Sequence, residues 1–249
     1  MTTITDWGTH WHGLTDARVI NTEPKLRTER IIASVVTHRG IVHIYGPAGS
    51  GKTFATARAL AGVETPTVYA LFDGQANPKE MASVLLREAT GCAHDGTRAT
   101  LRDECVNVFG TPTILVIDEV QHLQRDCMYF LRYLHDHPLT NVTIILVGGP
   151  ESRMRVGGNS ALSSRVRSCP FEPVKLDVLL AAIPKYHRIF RGIAPADIQR
   201  IYDLYAGGDL RRWAEFAITA IDECARRDER VLNSATITSV LAELVPEVA

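Results

Sequence analysis

Apolar positions in this chain follow two rhythms, and the change between them falls near Pro173. Before it, short apolar runs alternate with helical spacing. Leu26, Ile31, Ile32, Val35 and Val36 recur at helical intervals and stop at Gly40. Ile41–Tyr45 is a short run ending in glycine, which suits a buried strand; Phe54–Ala61 then reads as helix and Thr67–Phe72 as a second strand. Asn77-Pro78-Lys79-Glu80 opens a helix with an Asn cap, a proline at the first helical position and a glutamate three residues after the cap. Met81, Val84, Leu85 and Glu88 continue that helix to Gly91. Thr113–Ile117 and Val142–Val147 are continuously apolar, as parallel strands covered on both faces should be. Beyond Pro173 the spacing predicts helices over Leu176–Phe190, Pro195–Tyr205, Asp209–Arg226 and Ser234–Leu244, with no strand between them. The pattern predicts a polar N-terminal arm over 1–25, with Trp7 and Trp11 as candidate anchors. An α/β core with a parallel sheet follows over 26–173, and a small helical domain over 174–249.

Composition narrows the class without naming it. The chain has 249 residues, 45% of them hydrophobic, enough to bury a core without disulfide or metal staples. Its 27 basic and 28 acidic side chains exclude a globally basic nucleic-acid coat, though not a local basic groove. The five cysteines, Cys92, Cys105, Cys127, Cys169 and Cys224, show no paired spacing, so a reducing cytoplasmic compartment is expected. No apolar run reaches the ~18–20 residues of a membrane span. The first residues lack the basic and apolar regions of a secretory signal.

Two motifs carry chemistry. Gly46-Pro47-Ala48-Gly49-Ser50-Gly51-Lys52-Thr53, continued by Phe54, fits G-x-x-x-x-G-K-[ST] between a predicted strand and a predicted helix. Glycines at these positions let consecutive backbone N–H groups curl around a phosphate, and the helix that follows adds its positive end. In that reading Lys52 reaches the β- and γ-phosphates of ATP and the Thr53 hydroxyl holds Mg²⁺. Asp118-Glu119 ends the apolar run Ile114-Leu115-Val116-Ile117, at the end of a parallel strand where ligands bind. Asp118 is expected in the magnesium shell, and Glu119 is expected to orient or deprotonate the attacking water. A kinase needs no such glutamate; a hydrolytic ATPase does.

With GPAGSGKT and ILVIDEVQHL in place, the sequence resembles the AAA+ ATPases. It is nearest to the transposon target-selecting ATPases of the TniB, TnsC and MuB kind, which are related to the ExeA-type ATPases. The resemblance runs from about Leu26 to the C-terminus. It implies a P-loop NTPase fold, a three-layer α/β/α core with a parallel sheet, followed by a small all-helical lid. It also implies an arginine finger after the fourth strand and its helix, where Arg165 is the candidate and Arg167 the reserve. Gly208-Asp209-Leu210-Arg211 fits the lid motif, which makes Arg211 a candidate nucleotide contact; Asp209 is equally a helix cap. One position departs from the family. Many members end the fourth strand with Asn or Thr aimed at the γ-phosphate, whereas this chain reads Leu146-Val147-Gly148-Gly149-Pro150. Slow hydrolysis is the expected consequence.

An arginine acting in trans implies a ring or helical filament with ATP at its seams. The ATPases this chain resembles wrap duplex DNA in such a filament and recruit a transposase or integrase-like protein. From the residues themselves, Lys79, Arg98 and Arg102, in the segments 73–79 and 94–102 read as loops, are candidate DNA-phosphate contacts without sequence readout. Two rival readings stand beside this one. A nucleotide-gated assembly adaptor with little hydrolysis is favoured by the glycines ending the fourth strand. An export-associated ATPase of the ExeA kind should carry a membrane span or wall-binding module, and neither is visible. The pairs His10/His12 and His135/His137 lack a Cys or acidic complement for a metal site.

Overall fold

The computed structural model describes residues 14–158 and 160–245. Trp7, Trp11, His10 and His12 lie outside the described residues. The chain divides into two compact units. One holds 24–46 and 52–171; the other holds 14–23, 47–51 and 172–245.

The first unit is built on five parallel strands: β1 (Ile41–Tyr45), β2 (Thr67–Leu71), β3 (Thr113–Asp118), β4 (Val142–Gly148) and β5 (Val166–Pro170). Their order across the sheet is β2-β3-β4-β1-β5. Alternation along the central strands sends side chains to two covers. Leu115 and Ile117 face a cluster with Met81 and Leu85 of α3 (Pro78–Thr90), Leu101 and Cys105 of α4 (Arg98–Val108), and Leu131 and Leu134 of α5 (Arg125–Asp136). Ile114 and Val116 face the opposite cluster, with Ile32 and Val35 of α1 (Glu23–Thr37) and Ala55 and Leu60 of α2 (Lys52–Leu60). Two short helices, α6 (Ser152–Gly157) and α7 (Ser160–Ser163), precede β5. The expected α/β/α layering is thus observed, and the capping box of Asn77 and Glu80 forms as read.

Three elements differ from expectation. The segment around Arg98 and Arg102 is not a loop. Thr97 caps it, accepting from Thr100 N at 3.2 Å, and Leu101, Cys105 and Phe109 bury one face, which makes it α4. Lys79, at the end of the segment 73–79 read as a loop, lies in the first turn of α3, where the Asn77 cap predicts it. Strand β5 went unread because Arg167 and Ser168 expose their side chains on a sheet edge, leaving Cys169 alone fully buried.

The second unit is helical: α8 (Leu176–Tyr186), α9 (Pro195–Ile201), α10 (Leu210–Arg226) and α11 (Ser234–Leu244). The helix expected to reach Phe190 breaks at His187, and a separate turn, Arg188–Phe190, follows. Trp213, Phe190 and Phe216 fill the centre, with ring centroids 6.2 Å apart in each Phe190 pair. Leu14 is buried in this cluster and Arg18 N donates to Tyr186 O at 2.6 Å, so the described end of the expected arm packs with the helices. No helix among the described residues is long and apolar enough to cross a membrane.

Candidate nucleotide site

Strand β1 ends at Tyr45 and β3 at Asp118, both on the C-terminal edge of the sheet, so the glycine loop and the acidic pair leave from the same side. In the first unit, Lys52 Nζ donates to Gly46 O at 2.9 Å, and the Thr53 hydroxyl donates to Asp118 Oδ2 at 3.0 Å. A hydroxyl and a carboxylate drawn together at a helix start are hard oxygen donors of the kind Mg²⁺ takes alongside phosphates. The lysine at the loop neck adds the positive charge that a triphosphate needs. The residues present therefore fit both groups.

Asp118 is buried and every hydrogen bond to it is specific. Oδ2 also accepts from the Tyr69 hydroxyl at 2.7 Å, while Oδ1 accepts from the backbone N of Glu119 at 2.8 Å. Tyr69 comes from β2, the neighbouring strand. Burial, followed by the charge of Asp118, pushes the Tyr69 phenol well above its ordinary pKa, so it remains a donor. Neither spacing nor motif pointed to this tyrosine.

Glu119 adopts φ 57° and ψ 43°, a left-handed conformation uncommon for a residue with a side chain. It starts the short turn Val120–His122, which brings Gln121 back to the sheet edge. The Gln121 amide nitrogen donates to Glu119 Oε2, and its Oε1 accepts from Gly149 N at 2.9 Å.

In the second unit, Pro47–Gly51 lies with the start of α10. Leu210 N donates to Gly49 O at 3.0 Å, and Ser50 Oγ donates to Pro47 O at 2.8 Å. Gly49 has φ +69°, and a β-carbon there would sit 1.8 Å from Asp209 Oδ1, so only glycine fits. Asp209 is the helix cap, accepting from Arg211 N and Arg212 N; the Arg211 side chain is exposed in the first turn.

The remaining candidates are on the surface of the first unit. Arg165 is exposed and pairs with Asp136 at 3.2 Å; Arg167, on β5, donates to Ser34 Oγ at 2.7 Å. Lys79 meets Asp95 at 3.3 Å, Arg98 meets Asp126 at 3.8 Å, and Arg102 meets Asp103 at 3.1 Å while lying over the Tyr133 ring. His135 contacts Asp136 and the carbonyl of Arg39, and His137 accepts from Leu139 N. A basic hollow that sequence reasoning missed is lined by Gln75, His122, Gln124, Arg125 and Arg155. Among the described residues, neither of those arginines forms an ion pair with a carboxylate.

A five-stranded parallel sheet in this order, with a glycine-rich loop after β1, Asp118 ending β3 and Glu119 following it, makes an AAA+ P-loop NTPase fold with a helical C-terminal region. Residues 35–156 match the family model described as an AAA domain. The ORC2 protein of Aeropyrum pernix, solved in ADPNP–ADP complexes, superposes with a TM-score of 0.69 at 16% identity, covering 98% of this chain and 72% of that one. The ORC1 protein of the same organism, in complex with DNA, gives 0.69 at 18% identity over 92% of this chain and 68% of that one. The RuvB Holliday junction branch migration motor of Thermotoga maritima gives 0.61 at 15% identity over 90% and 70%. A comparison with curated protein sequences finds no match.

Proposed function

We propose that this chain is a magnesium-dependent ATPase that assembles on duplex DNA and regulates transposition, selecting target DNA and recruiting a transposase or integrase-like protein. The observation that carries the nucleotide chemistry is the Thr53–Asp118 hydrogen bond at 3.0 Å beside the Lys52 ammonium. Lys52 binds the β- and γ-phosphates, and Gly46 through Phe54 wrap them, every residue but Pro47 offering a backbone N–H group. Thr53 and Asp118 hold Mg²⁺, which when bound offsets charge on the phosphates. The Glu119 carboxylate takes the proton of the attacking water. Arg211 contacts the nucleotide from the lid, and Arg165 serves the γ-phosphate of a neighbouring copy in a ring or filament.

DNA binding and assembly are supported by the fold shared with an ORC1 protein solved on DNA and with RuvB, a branch migration motor. The transposition reading is supported by the DEVQHL texture from Asp118 to Leu123. A second reading, a nucleotide-gated adaptor, is favoured by the glycines at the end of β4 and keeps the same fold and assembly. Comparing phosphate release by wild type and Glu119→Gln, with and without duplex, separates them. Wild type should exceed the variant, with DNA stimulation that fades with salt. Equal rates at equal assembly leave the adaptor.

A further inference from the structure

In many AAA+ ATPases a polar side chain closes the fourth strand; here Gly148 and Gly149 do. A β-carbon on Gly148 would lie 2.7 Å from Gln121 Oε1 and 2.8 Å from Ser152 Cβ, so the space is already filled from another element. Gln121 belongs to the turn after β3, yet its amide spans from the backbone N–H of Gly149 to the carboxylate of Glu119.

The contacts behind Gly149 lead back to β1. Ser152 Oγ lies 2.6 Å from Gly149 O and 2.8 Å from Nε2 of His43, a buried residue of β1. The serine has one proton, which goes to the carbonyl, so the imidazole is the donor to Ser152. His43 thus donates to Ser152 and Ser152 to Gly149 O, while Gly149 N, in the preceding peptide group, donates to Gln121 and Gln121 to Glu119; the two pairs of bonds fix the Gly149 backbone from both sides.

We infer that Gln121 is the positioning residue for water activation. It supplies at the β4 edge the polar group the strand lacks, and its amide holds the Glu119 carboxylate in place. This rests on the hydrolytic reading above. Nucleotide binding does not pass through Gln121, so its loss should fall on kcat alone. Misplacing a catalytic group by about 1 Å costs on the order of a hundredfold.

The test is steady-state Mg·ATP hydrolysis and nucleotide titration by wild type, Gln121→Leu, Gln121→Asn, Glu119→Gln and the double variant Gln121→Ala with Gly149→Asn. At Gly149 the nearest obstacle to a β-carbon is the flexible end of Glu151, at 2.5 Å. The expected result is kcat lowered about ten- to a hundredfold in Gln121→Leu with nucleotide affinity within about twofold. The shorter Asn should lie between, and the double variant should recover part of the loss by supplying the amide from β4. Gln121→Leu at the wild-type rate, or losing affinity in step with kcat, overturns the assignment. So does a double variant no faster than Gln121→Leu. Wild type no faster than Glu119→Gln removes the hydrolytic reading and this assignment together, and is recognised by that comparison alone.

Discussion

The hydroxyl of Tyr69 lies 2.7 Å from Asp118 Oδ2, the same oxygen that accepts from Thr53. The phenol is thus an outer partner of the carboxylate expected to hold magnesium, fixing its orientation from the next strand. Outer partners of this kind typically change metal affinity ten- to a hundredfold when removed. Tyr69→Phe should therefore weaken the magnesium dependence of ATP binding about tenfold while leaving metal-free nucleotide binding near wild type. Magnesium titrations at fixed ATP check this, and an unchanged midpoint refutes it.

The start of α10 and the loop Pro47–Gly51 are tied together by a few atoms. Asp209 caps α10 through Arg211 N at 2.8 Å and Arg212 N at 3.2 Å, and the next residue, Leu210, donates to Gly49 O. Asp209→Ala should cost about 1 kcal/mol, the usual worth of a helix cap, with Asp209→Asn near neutral. Gly49→Ala should be far more damaging, because it combines a positive φ with a carboxylate 1.8 Å from the new β-carbon. Denaturant midpoints of the three variants give the ranking.

What the sequence disclosed follows from the range of the interactions involved. The strands β1, β3 and β4 were legible because burial on both faces leaves continuous apolar runs, and the loop and acidic pair because their atoms are covalent neighbours. Strand β5 was not, since one exposed edge let Arg167 and Ser168 replace apolar residues. Helix α4 hid behind its charge, with Leu101, Cys105 and Val106 its only buried positions. Tyr69 reaches Asp118 across a strand pair, and Gln121 reaches Glu119 through a left-handed turn; no local spacing encodes either contact. Gln121 stood in view within DEVQHL, but only the fold shows which strand it completes.

Basic side chains differ in what DNA would have to displace. Lys79, Arg98 and Arg102 each have an aspartate within 4 Å, whereas Arg125 and Arg155 line the hollow beside His122 without one among the described residues. Each phosphate neutralised contributes roughly 0.9 to the slope of log affinity against log salt. If DNA runs over this face, Arg125→Ala with Arg155→Ala should lower that slope by about 2. The triple Lys79→Ala, Arg98→Ala, Arg102→Ala should lower it less per charge removed, because the released aspartates offset part of the loss. Duplex-binding isotherms from about 50 to 200 mM salt distinguish the two sets; equal slopes in all three proteins exclude both surfaces.

His43 is an acid-sensitive point in the first unit's fold. It is buried in β1, stacked on Tyr45 and donating to Ser152, and burial lowers its pKa from 6.5 to about 4. Between those values the unfolded chain takes up a proton at this imidazole and the folded chain does not. Falling pH therefore favours unfolding: the contribution is complete above pH 6.5 and is lost on the way to pH 4. At about 1.4 kcal/mol per pH unit, the full span is on the order of 3 kcal/mol. His43→Gln keeps a donor for Ser152 but cannot be protonated there. Its stability relative to wild type should therefore rise as pH drops from 7 towards 4.5, although it starts lower at pH 7 through imperfect packing. Denaturant unfolding of both proteins across that interval measures the difference directly, and parallel curves rule out His43 as its source.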